Sequence, residues 1–489
     1  MLTFAALLVM VMALDALVHP RPRLPGRSLI GLWLMGWTTI ALFGLFLMFS
    51  GSMMVAAVLV LALAALFTLA SNAKHAMLGE PLLFSDLALV GAVFRHPQFY
   101  LSAVRPWQRV AVGLIALALV AVLVWLFDPA VAPHLAGAAL LAGGLVVLAF
   151  SLRACRPLVT MPDAHGDVRS HGLVPVLVLY WRRWRASQDP APCPSVARHA
   201  PDDDAPELVI IIQCESFADP HELFSPDHPA QPDFALPGLA AARAQAWQWG
   251  RLEVSGFGAY TMRTEYGVLF GRDEDVLGFR RYDPFLTALG EASYALPARL
   301  QAANWRSLFV HPHDMRFYGR DAIMPAAGFD ELVGEERFDP PRPEDGRYVT
   351  DAAMADAIHT LASQADGPTM IYAVTIENHG PWAPEEAAGA ERDLVRSYLR
   401  LVGNSDAMLA TLVERMAQAG RPAMLVFFGD HRPSIPGATR PGGARHTPYV
   451  MVRLDAQGQY VRGSDQRIDL TPAQLHHAVL DVVLGARKD

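Results

Sequence analysis

The chain has 489 residues, 52% of them hydrophobic and 18% charged, with 40 Lys and Arg against 48 Asp and Glu for a formal net charge of -8. That acidic balance gives no electrostatic reason to expect nucleic acid as a partner, and a mean hydropathy of +0.23 is high for a wholly soluble chain. Cys155, Cys193 and Cys214 have neither metal-like nor paired spacing, so cysteine usage neither supports nor excludes an oxidising compartment.

The apolar excess lies before about residue 155, where five runs, roughly 2–18, 29–50, 53–70, 110–127 and 132–152, are long enough or nearly so to cross a bilayer. Buried helices of a soluble domain seldom run this long without charges. The first run lacks a basic n-region, carries Asp15 and ends in His19-Pro-Arg-Pro-Arg23, so it reads as a retained span rather than a cleaved signal. Between the third and fourth runs, Pro81 to Phe94 has an apolar face with start signals at Ser85 and Asp86, which predicts a helix along the membrane surface. Arg21, Arg23, Arg27, Lys74, Arg95, Arg105 and Arg109 fall on the side of the C-terminal half, and the positive-inside rule alone predicts that side to be cytoplasmic.

Residues 156–206 are rich in Pro, Asp, His and Arg. Within them Gly172 to Trp181 is too short to span, and with Arg182-Arg-Trp-Arg185 behind it reads as an interfacial tether. From Glu207 short apolar strands alternate with helical segments, the pattern of an α/β domain. Strands are predicted at Leu208–Ile212, Trp249–Val254, Arg306–Val310, Thr369–Ile376 and Ala423–Phe428, and helices at Leu296–Ala303, Thr350–Gln364 and Arg392–Gln418. The expected organisation is a five-helix transmembrane domain (1–155), a tether and linker (156–206) and an α/β domain (207–489).

Polar groups follow the strand ends: Gln213-Cys-Glu215-Ser216, His311-Pro-His313-Asp314, Glu377-Asn-His379 and Gly429-Asp430-His431. Open α/β sheets bind ligands outside the carboxyl ends of their strands, so these groups are candidates for one cleft. Glu215, Asp430 and His431 offer the carboxylate and imidazole ligands of a divalent Zn or Mn site. His311, His313, Arg320 and His379 suit a phosphate. Each also has a bland role available: Glu215 as a turn cap, Asp430 and His431 as a solvated pair, Arg320 as a surface partner of Asp321, and His446 as a loop histidine.

The nucleophile is expected in Gly258-Ala-Tyr-Thr-Met-Arg-Thr-Glu-Tyr-Gly-Val-Leu-Phe-Gly271, where a strand-like run gives way to a helix-like one. Thr261 falls near the helix start. There it is either an N-cap, accepting from an orphan N–H, or a nucleophile where free N–H groups and the helix dipole favour phosphate.

These residues resemble the membrane-anchored phosphoglycerol transferases related to lipoteichoic acid synthase, within the alkaline phosphatase and sulfatase superfamily. Sulfatases have Gly ten places after their nucleophile; Thr261 lies ten places before Gly271, so the resemblance picks Thr261 over Thr264. It implies a metal set of Glu215, Thr261, Asp430 and His431, and head-group contacts from His311, Tyr318, Arg320 and His379, with Tyr318 where the family has Trp; His446 is a further substrate-binding candidate. It implies an inner-membrane protein with an outward-facing catalytic domain that transfers phosphoglycerol from phosphatidylglycerol to a glycan or polymer, through a phospho-threonine and with one Mn or Zn ion. A phosphoethanolamine transferase, a phosphodiesterase and a non-catalytic membrane sensor are the rivals. Without Cys at position 261 the chain cannot make the formylglycine that a sulfatase reaction requires.

Overall fold

The computed structural model describes residues 2–23, 26–87, 106–155, 158–194, 205–224, 234–342, 345–380, 382, 394–464 and 466–485. They form two compact units, Met1–Ser187 and Gln188–Asp489.

The N-terminal unit is helical: α1 (Leu2–Ala16), α2 (Leu29–Ser50), α3 (Met53–Leu78), α4 (Pro106–Trp125), α5 (Val131–Ala154), α6 (Ala164–His171) and α7 (Leu173–Arg185). Among the described residues α2, α3 and α5 are long and apolar enough to cross a membrane, and α1 is a shorter apolar helix. Helices α2 and α5 approach closely because glycines line their contact: a Cβ on Gly44 would lie 2.5 Å from Leu141 N, and one on Gly137 would lie 2.3 Å from Met48 N. At the end of α1 the buried Asp15 accepts from Arg27 Nε (2.7 Å) and from Leu173 N (2.8 Å). Arg27 also donates to Val168 O and Arg169 O, latching α6 and α7 to the first helix. Lys74 pairs with Asp86 at 2.5 Å. Of the surface helix predicted over 81–94, residues 84–87 are helical and the remainder from 88 onward lies outside the described residues, as do Arg95, Arg105 and linker residues 195–204.

The C-terminal unit is built on an eight-stranded sheet: β1 (Leu208–Cys214), β2 (Gln248–Glu253), β3 (Arg306–Val310), β4 (Glu331–Val333), β5 (Thr369–Val374), β6 (Ala423–Gly429), β7 (His446–Leu454) and β8 (Tyr460–Val461). The order is β2-β7-β6-β1-β5-β3-β4, with β8 on β7. Strands β6, β1, β5, β3 and β4 run parallel, while β2, β7 and β8 add antiparallel pairs. The continuous apolar runs of β1, β5 and β6 are buried along their whole length, as strands covered on both faces require. Helices α8 (Thr261–Phe270), α9 (Asp351–Ser363), α10 (Leu394–Ala417) and α11 (Pro472–Leu484) flank the sheet's elements. Thr350 caps α9 by accepting from Ala353 N.

Two features of this topology position the site. The parallel register of β1 with β6 pairs Cys214 with Gly429, which sets Glu215 beside Asp430. The loop after β2 is tied back by a bridge between Phe257 and Arg432, with Gly258 N donating to Arg432 O (2.7 Å). That carries the start of α8 to the residue after His431.

Candidate active site

Asp430 is fully buried. Its Oδ1 accepts from Ser216 N and His431 N, both at 2.8 Å, while Oδ2 has no hydrogen-bond partner among the described residues. An orphaned buried carboxylate oxygen is costly unless something positive meets it. Glu215 is turned to the same point: its Oε1 accepts from Ser216 Oγ at 2.8 Å and lies 3.5 Å from His431 Nε2, which is 3.6 Å from Asp430 Oδ2. One ligand atom each of Glu215, Asp430 and His431 lies within 4.8 Å of the others. His431 Nδ1 meets Arg432 O at 3.2 Å, which as the donor leaves the Nε2 lone pair facing the carboxylates. Burial, and next the Asp430 carboxylate, push the Glu215 carboxyl up to about 8. Converging acceptors with a spare carboxylate oxygen fit a divalent cation, whose charge reverses that shift.

Thr261 is the first residue of α8, and the N-cap is Tyr260 in the left-handed region (φ 77), with no side-chain cap bond. Among the described residues Thr261 Oγ1 has one neighbour, His431 Nε2 at 3.5 Å. The hydroxyl therefore faces the carboxylate cluster rather than the helix N–H groups. Thr264 differs: it is buried and donates to Asp430 O at 2.7 Å. At the other end Gly271 closes the ten-residue helix in the left-handed region (φ 62), where a Cβ would lie 2.4 Å from the His476 ring. The spacing from Thr261 to Gly271 is the length of this helix.

The second predicted group gathers around Arg320. Its Nε and Nη2 donate to Glu265 at 3.0 and 2.5 Å, a two-toothed ion pair whose side chains are 2% and 0% exposed. Burial opposes the Arg320 charge and Glu265 more than offsets it, so the guanidinium is held above its ordinary pKa. Arg320 lies over the Tyr318 ring at 5.3 Å, and its charge is felt at both Glu215 and His311. His311 Nδ1 meets Val374 O at 2.9 Å, and burial, then Arg320, lower its pKa well below the usual value, so the ring is neutral. Burial likewise lowers His313. His379 is exposed at the end of a chain of rings running from His311 through His313 and Tyr348.

His446 belongs to a third group. It is the first residue of β7, and its Nε2 lies 2.7 Å from Glu222 Oε2 and 2.9 Å from Arg432 Nη2. Glu377 is also engaged elsewhere, accepting from Asp351 N and Asn404 Nδ2, both at 2.7 Å. Sequence reasoning placed Ser216 among the strand-end groups without giving it a role, and its N–H and hydroxyl orient both carboxylates; it passed over Glu265, which anchors Arg320 one helical turn from Thr261. Adjacency to Glu215 was the available signal for Ser216.

Residues 207–483 match the family model described as Sulfatase. The chain belongs to the sulfatase family. This family sits in the alkaline phosphatase and sulfatase superfamily, as the resemblance around Thr261 implied. Over 415 residues the chain is 31% identical to the capsular polysaccharide biosynthesis protein RkpI of Rhizobium meliloti, spanning 80% of this chain and 75% of that one. The integral membrane lipooligosaccharide phosphoethanolamine transferase A of Neisseria meningitidis is similar in fold, with a TM-score of 0.51 at 12% identity over 98% of this chain and 95% of that one. The phosphoglycerol transferase GacH of Streptococcus pyogenes, in complex with sn-glycerol-1-phosphate, gives a TM-score of 0.45 at 17% identity over 58% of this chain and 76% of that one. The sulfatase-family domain thus follows an apolar helical unit in this chain, and carries the Glu, Asp and His cluster suited to the metal on which the superfamily depends.

Proposed function

We infer that this sulfatase-family protein transfers a phosphoglycerol head group from a membrane phospholipid, phosphatidylglycerol, to a cell-envelope glycan or polymer through a phospho-threonine at Thr261. The observation that carries this reading is the uncapping Thr261 hydroxyl, 3.5 Å from His431 Nε2 at a helix N-terminus, beside the orphaned Asp430 oxygen. Glu215, Thr261, Asp430 and His431 would hold one divalent ion, Mn or Zn. When bound, that ion supplies the positive charge that stabilises Thr261 as an alkoxide and screens the phosphate.

The Thr261 oxygen forms the bond to phosphorus and the bond to the diacylglycerol oxygen breaks, that oxygen taking a proton from a histidine. In the second half the acceptor hydroxyl returns a proton to the same histidine as its oxygen displaces Thr261. His379 is favoured over His311 as this donor, because burial holds His311 neutral while His379 is exposed to an arriving leaving group. Arg320 and His311 bind the head-group phosphate, and Tyr318 and His446 contact the remainder of the substrate. The name of the relative RkpI favours a polysaccharide acceptor.

The proposed setting is the inner membrane, with five spans in 1–155, a tether and linker in 156–206, and residues 207–489 outside the cytoplasm. Arg27 and Lys74, which the positive-inside rule counts against this orientation, have structural roles as partners of Asp15 and Asp86. Reporter fusions after Ala205 test it; activity only of a cytoplasm-dependent reporter would overturn both the topology and the lipid-donor chemistry. The donor is tested by diacylglycerol release from labelled phosphatidylglycerol and phosphatidylethanolamine in parallel. Release from the second alone makes the protein a phosphoethanolamine transferase, the alternative that the fold of the Neisseria enzyme leaves open.

A further inference from the structure

Within the N-terminal unit a cavity of about 220 Å3 lies between the end of α5 and the last turn of α7, lined by Leu152, Cys155, Val159, Leu179, Arg182 and Arg183. A second hollow of about 330 Å3 adjoins it, lined by Trp181, Arg182, Arg185 and Ala186. Arg182 lines both. Its half-buried side chain makes no ion pair and no side-chain hydrogen bond among the described residues. By contrast Arg183 donates to Thr160 O at 3.3 Å, and Arg185 stacks over Trp181 at 5.5 Å.

The bland account is that basic residues in the last turn of α7 complement its helix dipole. The dipole leaves the position of each guanidinium open, whereas a direct cap would aim it at the final carbonyls. Arg182 bonds none of them and lines the cavity instead. A guanidinium in a hollow without a carboxylate calls for an oxyanion able to take paired N–H donors. The walls say which kind. Leu152, Val159 and Leu179 are apolar, and α5, one of the helices fit to cross a bilayer, ends at Ala154 beside the cavity. The hollow therefore stands at the level where the hydrocarbon meets the head groups, with Trp181 at the same boundary.

The geometry points to a binding site for the phosphate of an anionic phospholipid, seated against Arg182 and Arg183 with its acyl chains along the apolar wall of α5. This site is lined by residues of the N-terminal unit, and it depends on the membrane location of that unit rather than on the reaction proposed for Thr261. It gives the arginines in the last turn of α7 a lipid-binding role of their own.

Cys155 lines the cavity and reports its occupancy without mutation. The full chain is reconstituted in nanodiscs of phosphatidylcholine alone or mixed with phosphatidylglycerol, and maleimide labelling at Cys155 is followed by peptide mass spectrometry. Phosphatidylglycerol should slow labelling. Arg182→Ala with Arg183→Ala should weaken that protection about tenfold or more, each basic residue near an anionic surface contributing about fivefold, and Arg182→Lys should retain part of it. Asp430→Ala should protect like wild type. Equal labelling in the two lipids, or protection in phosphatidylcholine nanodiscs by added inorganic phosphate, would overturn the lipid site. Loss of protection in Asp430→Ala would show that protection needs the Asp430 cluster and would overturn an independent site. Normal protection with no diacylglycerol release would uphold this site while sinking the transferase reading.

Discussion

Removing Glu265 tests whether Arg320 is a held ligand or only a packing element. The pair is buried on both sides, at 2% and 0% exposure, and bonded twice. Deleting one member of such a pair leaves the other charged and desolvated, which costs about 3–5 kcal/mol. For a domain of this size that is a fall in Tm of roughly 6–20 °C, out of a total stability of about 5–15 kcal/mol. Glu265→Ala should therefore melt early, and Arg320→Met should do the same. The double variant Glu265→Leu with Arg320→Met should recover most of the loss, because two apolar side chains replace a costly ion pair. Thermal melts of the purified protein read the stability, and diacylglycerol release reads turnover. The double variant should be stable and inactive. Additive losses in the double variant would refute the coupling, and a stable double variant with wild-type turnover would refute any contact of Arg320 with the head group.

Thr261→Ala should change stability by less than about 1 kcal/mol, since the hydroxyl caps nothing, yet abolish turnover; Thr261→Ser should keep some. Thr264→Ala should cost about 1–2 kcal/mol by losing its bond to Asp430 O, with milder loss of turnover, and label trapped on Thr264 rather than Thr261 would overturn the assignment. Chelation should remove activity, and Asp430→Ala should lose roughly one bound Mn or Zn ion per chain as read by elemental analysis; active protein without metal would refute the role of the cluster. Burial, and next the neighbouring His477 and Arg299, push His476 down to about 3. Its folded pKa is below the unfolded value of about 6.5, so its contribution is complete above pH 6.5 and is lost as pH falls toward 3. His476→Gln should flatten the melting temperature across that window, and an unchanged slope would refute the linkage.

Much of this was legible because the central strands are apolar runs of strand length. Leu208 to Cys214 and Ala423 to Gly429 are buried throughout, so chemistry-bearing residues directly after them had to emerge at the carboxyl ends of the central strands. The helix start at Thr261 was legible from the loop glycines before it. The cap itself was not. Tyr260 adopts φ 77, a conformation that sequence assigns to glycine, and the Arg263 guanidinium 3.8 Å from its ring packs against it. Glu265 was illegible for another reason: a carboxylate on a helix reads as a solvated face until Arg320, 55 residues away, is seen against it. The edge pairing of β2 with β7 joins segments whose alternation is compatible with several partners.

The latch at Asp15 has a consequence for biogenesis. Its partner Arg27 follows 12 residues later, but the Leu173 N–H lies 158 residues downstream. At about 5–20 residues per second of synthesis, α1 waits roughly 8–30 s for that last bond. During that interval Arg27 lacks Val168 O and Arg169 O as acceptors. A fragment ending with α5 would carry the three helices long enough to span yet hold α1 in this unfinished state indefinitely. The apolar unit completes itself only when α7 is available, close in time to the synthesis of the first strand of the sheet.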